Sequence, residues 1–402
     1  MNFIEARLSE MSNISKYQKN FLLILFSTLC CLRGKMNFRN LSRYSDLSEK
    51  TYSRQFHKDF NFTELNRLSL QTLFPKDHPL ILATDCTYSQ KSGKKTWGLD
   101  YFFSGQAGCT KKGLEVSLLA LVDLSRNTAY SLNAKQTPAT QKDKKDSARE
   151  ETRIDFYLKQ LHDTRPLLPP QVRYLVADGY YAKKKYVEGV VHENLHLISK
   201  LRRDPNLRFL YQGTQKSGAG AKKRYAGKFQ VSLLHRFEFH GKLEGSIQVY
   251  SQVMNHLSLK RDIRVVCLLD ARVPEHPSYC FLFSTDLTQN VWEILRFYRA
   301  RFQIEFIFRD AKNFTGFSDC QARDKQSLHF HFNASLTALN FLKIEHVQEK
   351  KASEPISIAS YKAKHFNEHF IKHIFSKLEL NLSSIKSNPH YEELRNYGAI
   401  AA

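Results

Sequence analysis

The chain has 402 residues, a hydrophobic fraction of 42% and a formal charge of +22. That length and apolar content suit two or three folded domains with a substantial core, and they exclude a disordered chain. The charge, with a pI near 9.6, points to a polyanionic partner, and nucleic acid is the first candidate. The basic clusters lie at 91–95, 111–112, 142–145, 183–185 and 222–224. Such a spread suggests several faces touching a long polyanion. An anionic membrane is the weaker reading, because no long basic amphipathic helix stands out. The seven cysteines are odd in number and include no CxxC pair, as expected of reduced thiols in a cytoplasmic protein.

Residues 1–75 read as a helical DNA-binding domain. The run from Phe21 to Leu32 is strongly apolar but shorter than the roughly 20 residues of a membrane span. It has no signal-peptide placement, and a buried helix is expected. A short helix over 37–44 is followed by a turn in which Ser48 can cap a second helix over 49–56. This has the outline of a helix-turn-helix, with Lys50, Tyr52 and Arg54 as candidate DNA contacts from a helix lying in the major groove. An ordinary helical hairpin is the alternative.

Residues 76–200 read as the first part of a catalytic core. Leu80 to Thr84 forms a short apolar strand ending at Asp85; 114–122 and 129–132 form two more. A helix over about 147–162 is stopped by Pro166, and a strand over 172–177 ends at Asp178. Three strands, a helix and a strand is the order of the ribonuclease-H-like fold. The helix is the crossover that lets the Asp85 and Asp178 strands run parallel. Both acids would then stand at carboxyl ends of strands, where open α/β sheets gather ligands. Residues 201–277 read as a β-rich insertion, with strands at 229–233 and 236–239 and a basic, glycine-rich loop at 213–227. The core resumes over 278–345, where a strand at 279–284 leads into a helix bearing Glu305, and 346–402 read as carboxy-terminal helices. The expected class is therefore α/β: a ribonuclease-H-like mixed-sheet core with a β-rich insertion, flanked by helical termini.

At about 100° per residue, Tyr298, Arg301, Glu305, Arg309 and Lys312 form one helical stripe about four turns long. Phe297, Ile304, Ile307 and Phe308 flank it on one side, and Leu295, Phe302 and Phe306 on the other. Arg299, Gln303 and Asp310 are left for a solvated face. Charges held between apolar flanks need partners. A metal ion for Glu305 and phosphates for the cations would serve, and so would an internal Arg–Glu ion pair. His365, His369 and His373 also share a helix face at a spacing that suits zinc. No HExxH motif or nearby cysteine accompanies them, and a polar face at a DNA or subunit contact is the stronger reading.

The pattern Tyr298-x2-Arg301-x3-Glu305-x6-Lys312 resembles the signature of one group of bacterial insertion-sequence transposases, the fourth insertion-sequence family of the DDE superfamily. Asp85-Cys86-Thr87-Tyr88, Asp178-Gly179-Tyr180-Tyr181 and the run from Ser92 to Asp100 resemble motifs of the same group, so the likeness covers roughly 79–345. It implies a transposase that binds inverted-repeat ends, hydrolyses phosphodiesters there and joins the 3′-hydroxyl ends to target DNA. Asp85, Asp178 and Glu305 would be the catalytic acids and the ligands of two Mg²⁺ ions, or of Mn²⁺ in their place. Arg301 would clamp a phosphate, Lys312 would act on one as a point charge, and Tyr298 would contact phosphate or stack nearby. The implied partners are duplex DNA, at transposon ends and target, and a second copy of the chain. No membrane is expected, and no nucleotide cofactor, since the glycine-rich segment at 213–220 has no Walker pattern. One departure concerns the aromatic that holds a flipped base in this group. Trp97 and Trp292 both lie outside the insertion, which leaves Tyr279, Phe237 or Phe239. Rival readings are a ribonuclease-H-like nuclease without strand transfer, and a helix-turn-helix regulator with an inert transposase-derived core.

Overall fold

Side-chain caps and apolar periodicity set the first five helices: α1 (Asn2–Glu10), α2 (Lys16–Cys31), α3 (Phe38–Arg43), α4 (Glu49–Phe56) and α5 (Phe62–Gln71). Ser15, Asn37, Ser48 and Asn61 each accept a backbone N–H of the first turn that would otherwise lack a partner. The computed structural model describes residues 2–139, 152–215, 217–218, 220–270, 272, 277–349 and 356–400. The lysine cluster at 142–145 lies outside them, as does the expected start of a helix near 147.

The core strands are β1 (Leu80–Gln90), β2 (Asp100–Ser104), β3 (Cys109–Asp123) and β4 (Thr128–Gln136). Helix α6 (Arg153–Thr164), opened by a Thr152–Asp155 capping box, leads to β5 (Tyr174–Val176). It stops where Pro166 enters a 3₁₀ turn. Helix α7 (Lys184–His192) leads to β6 (His196–Lys200). The pairings give the order β4-β3-β1-β5-β6, with β1, β5 and β6 parallel. That is the ribonuclease-H-like arrangement. β2 lies beside the first part of β3, as an edge strand ahead of β4.

The insertion continues the same sheet. Its strands are β7 (Leu207–Leu210), β8 (Tyr225–Lys228), β9 (Glu238–Leu243), β10 (Ile247–His256) and β11 (Arg261–Asp270), and β12 (Ser278–Ser284) pairs antiparallel with β6 to join them to the core. Phe229 to Leu233 is not a strand. β8 ends first, and the chain winds through a 3₁₀ helix over Val231–Arg236. Phe229, Phe237 and Phe281 close into one aromatic cluster, with ring centroids 5.2 and 5.8 Å apart. Val231 is exposed, so the apparent alternation is not a pleat. Of the aromatics considered for a flipped base, Phe237 is buried and Phe239 is exposed.

The remaining helices are α8 (Val291–Ala300), α9 (Gln303–Phe314), α10 (Lys325–Glu349), α11 (Ile358–Lys377), α12 (Leu382–Lys386) and α13 (Tyr391–Asn396). Alternation along β1 divides the core. Leu80 and Leu82 join the apolar cluster that includes α6, α7 and the amino-terminal helices, while Ile81 and Ala83 join the one that includes α8 and α9. The amino-terminal helices are built onto the core. Asn66 donates to the Leu132 carbonyl (3.2 Å) and accepts from Asn340 (3.1 Å), and the Phe56 and Phe330 rings lie 4.5 Å apart. No helix among the described residues is long and apolar enough to cross a membrane.

Candidate active site

Asp85 shares the pleat face of Ile81 and Ala83, and therefore looks toward α9. β1 does not end at this residue, because β3 stays paired with it as far as Gln90. Asp178 does follow the end of its strand. It caps the 3₁₀ turn Gly179–Tyr181 by accepting the Tyr180 N–H at 2.9 Å. Ser199 fixes the same bend by donating to the Asp178 carbonyl at 2.6 Å. Ala83 pairs with Val176 in the parallel register. Two residues further on, the two aspartates therefore stand level on neighbouring segments.

The helix bearing the Tyr-Arg-Glu-Lys residues is not continuous. It breaks at Arg301–Phe302, between α8 and α9. There the Phe302 N–H bonds to the Arg299 carbonyl (3.1 Å) and the Glu305 N–H to the Phe302 carbonyl (3.0 Å). These three-residue bonds tighten the winding. The flank of Phe297, Ile304, Ile307 and Phe308 is buried throughout, whereas on the other flank Leu295 is buried and Phe306 only half-buried. Phe302 is exposed and leans edge-on against Phe306 at 5.1 Å. Arg309 and Asp310 also exchange their expected environments. Asp310 is buried, and its charge is felt by the buried Lys343 of α10. Arg309 lies outside, donating back to Asp310 at 2.8 Å.

Arg301, at the break, is 15% exposed. Its Nη1 donates to Asp85 Oδ2 at 2.9 Å and its Nη2 to Glu305 Oε1 at 3.1 Å. The Arg301 Nε is buried with no hydrogen-bond partner among the described residues. The Tyr298 ring centroid lies 5.9 Å from the guanidinium carbon. Burial pushes the Asp85 carboxyl up to about 6, Arg301 opposes that rise, and Asp178 and Glu305 add to it. Burial disfavours the charge on Arg301, but Asp85, Tyr298 and Glu305 outweigh it and hold the guanidinium above its usual range. Lys312 donates to Thr87 Oγ1 at 2.7 Å and to the Tyr88 carbonyl at 3.2 Å, and burial lowers its pKa. Tyr298, Arg301, Glu305 and Lys312 thus gather beside the middle of β1 and the turn after β5, where Asp85 and Asp178 stand. Sequence reasoning missed Thr87 as the anchor of Lys312. The period of two along β1, which puts Thr87 on the face of Asp85, was the available signal.

The amino-terminal candidates divide. Lys50 and Arg54 are exposed, whereas Tyr52 is 0% exposed, shares a 2.8 Å hydrogen bond with Ser45 and packs against Phe21 at 5.7 Å. A core tyrosine cannot read bases, so the expected role of Tyr52 is withdrawn. His365 pairs with Glu345 at 2.6 Å and His369 lies 5.8 Å from the Tyr44 ring. Among the described residues no three His, Cys, Asp or Glu side chains are drawn into a ready metal cluster. At the acids, the Arg301 guanidinium stands between Asp85 and Glu305.

Residues 15–236 match the protein family described as DDE superfamily endonuclease. The span holds Asp85 and Asp178 and ends before Glu305. Among curated proteins none matches the chain. With more than half of the 402 residues matched, the chain belongs to the DDE superfamily of endonucleases.

Proposed function

We propose that this endonuclease is a metal-dependent DNA transposase of the Tyr-Arg-Glu-Lys signature group. In this reading Asp85, Asp178 and Glu305 are its acids, and it acts as a dimer on the inverted-repeat ends of its element. The observation that carries the reading is the single guanidinium of Arg301 reaching two of the acids, at 2.9 and 3.1 Å, beside the third. Three carboxylates contributed by two strands and a helix are costly in a half-buried site unless a cation offsets them. The Asp85 carboxyl is pushed up to about 6, first by burial and then by Asp178 and Glu305, against the pull of Arg301.

The donor set suits Mg²⁺ or Mn²⁺, hard cations that take carboxylate oxygens together with water and phosphate oxygens. When bound, such ions would polarise the phosphodiester and favour the ionised form of the attacking water or 3′-hydroxyl. The chain's own side chains supply the rest. Arg301, relieved of one carboxylate, would present its fork to a phosphate. Lys312, held over β1 by Thr87, would offer a point charge to the next phosphate. Tyr298 would limit how far the guanidinium can swing.

The test is nicking of DNA that carries the inverted repeats flanking the gene. Asp85→Ala, Asp178→Ala and Glu305→Ala should each lower Mg²⁺-dependent nicking by about 10³-fold or more. Gel-shift affinity should hold, since removing an acid removes repulsion of phosphate. A triple-alanine protein that still nicks with Mg²⁺ would show the site to be elsewhere. Joining of a labelled 3′-hydroxyl end to a target plasmid separates transposase from nuclease.

A further inference from the structure

We propose that the β2–β3 hairpin is a ledge for unpaired DNA, on which Tyr101 and Phe103 stack bases; this rests on the DNA-processing reading above. Tyr101 and Phe103 are 60% and 62% exposed, whereas Phe102 between them is fully buried. Neither exposed ring meets another aromatic among the described residues. Two large rings left in water on one strand face, two residues apart, invite a partner.

The register fixes which face they occupy. β1 and β3 pair without a shift from Leu80↔Asp123 to Gln90↔Gly113, and Asp85 lies opposite Leu118. Counting back by twos from Leu118 reaches Lys112, which pairs with Tyr101, and then Thr110, which pairs with Phe103. Paired residues share a face, so both rings project from the side of the sheet that bears Asp85 and Thr87. Six residues at about 3.3 Å each put them roughly 20 Å beyond the acids along the strands. That is about six nucleotides at 3.4 Å per step. A strand leaving the acids past Lys312 would run toward them.

The ledge is stiff and its charge suits DNA. On the opposite face Arg153 lies over the Phe102 ring at 4.5 Å and donates to the Tyr101 carbonyl at 3.2 Å. It also pairs there with Asp100 at 3.3 Å, so the one carboxylate of β2 is turned away from the rings. At the hairpin base the Tyr88 hydroxyl donates to the Lys112 carbonyl at 2.7 Å. The Tyr88 ring covers Gly113 so closely that a Cβ there would lie 2.4 Å from it. Lys112, which pairs with Tyr101, is exposed on the face of the rings, and Lys111 is exposed on the other face. Duplex DNA hides the faces of its bases, whereas unpaired bases offer them, and aromatics beside a basic track are how unpaired strands are held. Side chains two residues apart on a strand are set about 6.6 Å from one another, room for one base between two rings.

The experiment is fluorescence anisotropy with the full chain and two dye-labelled probes, a single strand of about twelve nucleotides and a blunt duplex of the same length. Tyr101→Ala/Phe103→Ala should weaken single-strand binding about tenfold or more and leave the blunt duplex within about twofold. Tyr101→Trp/Phe103→Tyr should retain single-strand binding. A leucine pair, which keeps apolar bulk without the ring face, should behave as the alanine pair does, and this guards against a loss caused by misfolding. Equal losses on both probes, or no loss on the single strand, would overturn the ledge. So would a change of oligomeric state in sedimentation with single-strand affinity intact, which would make the face a protein contact. The nicking assay is read separately. An alanine pair that still nicks blunt ends but binds single strands normally overturns the ledge alone, and a wild-type protein that never nicks overturns the reading beneath it.

Discussion

Arg301 and Lys312 frame α9 and are largely buried, each held by fixed partners on β1 or α9. Lys50 and Arg54, one turn apart on α4, stand in solvent while Tyr52 between them anchors the helix from its other side. In the proposed function both helices would present cations to DNA. The difference is in what has been settled before DNA arrives. The cations beside the acids have already lost much of their water and rotamer freedom, so in that reading a phosphate would meet them in one geometry. Those on α4 keep their freedom and, in that reading, would adapt to different base edges. Stiffness suits a site where atoms react, and freedom suits a surface that searches for sequence.

This contrast can be broken by mutation, and the largest effect should come from the residue on α4 that is not at its surface. Tyr52→Ala should destabilise the fold by about 3–5 kcal/mol, read in urea unfolding, because it empties a core position between Ser45 and Phe21. A stable Tyr52→Ala protein with weakened sequence preference would return that tyrosine to the DNA-reading face.

Next is Arg301→Ala, which leaves Asp85 and Glu305 without their shared guanidinium. It should cost on the order of 2 kcal/mol, less than a fully buried pair because the carboxylates remain partly in water. Thermal unfolding without divalent metal reports it, and stability within error of wild type would mean that the bridge is not held in solution.

Lys312→Ala should follow, with about a tenfold loss of affinity for pre-cut ends and a salt dependence flattened by roughly 0.9 in log–log slope. The Mg²⁺ requirement should not change, since an ammonium cannot ligate a metal. An altered metal requirement would place Lys312 in the acid site and not on a phosphate. The smallest change in stability belongs to Lys50→Ala/Arg54→Ala, within about 0.5 kcal/mol of wild type. Its effect should appear as lost preference for one end sequence, with weak binding to any duplex retained. A footprint that stays sequence-specific would assign recognition to another surface.

The parts that could be read from sequence were those in which one local rule acted alone. Asp85 and Asp178 announce themselves because each follows an apolar run that only a buried strand satisfies. Ser48 is a cap by its own chemistry. Elements that lean on neighbours were harder to see. β2 is five residues between turns and pairs only with β3. Helix α7 and strand β6 follow the Asp178 turn with little apolar run of their own, and both were missed. The break at Arg301–Phe302 leaves both residues in helical backbone conformation, so no glycine or proline marks it. Within α9 itself, Ile304, Ile307, Phe308 and Ala311 set the buried face, which turns Arg309 outward, and Asp310 is buried as well. Tyr52 sits at a position where lysine and arginine neighbours suggested a DNA face, and burial by α2 could not be seen locally. The meeting of Arg301 with Asp85 spans 216 positions of sequence; the resemblance implied a phosphate for Arg301, not this carboxylate.

The central claim is that Asp85, Asp178 and Glu305 together hold a divalent cation while Lys312 does not. Its most direct test is Mn²⁺ titration followed by electron paramagnetic resonance on the full chain, without any turnover. Asp85→Asn, Asp178→Asn and Glu305→Gln should each bind Mn²⁺ at least about tenfold more weakly than wild type, and Lys312→Ala should bind as wild type does. Superimposable titrations for all five proteins would contradict the account and leave the Arg301 bridge as a structural ion pair.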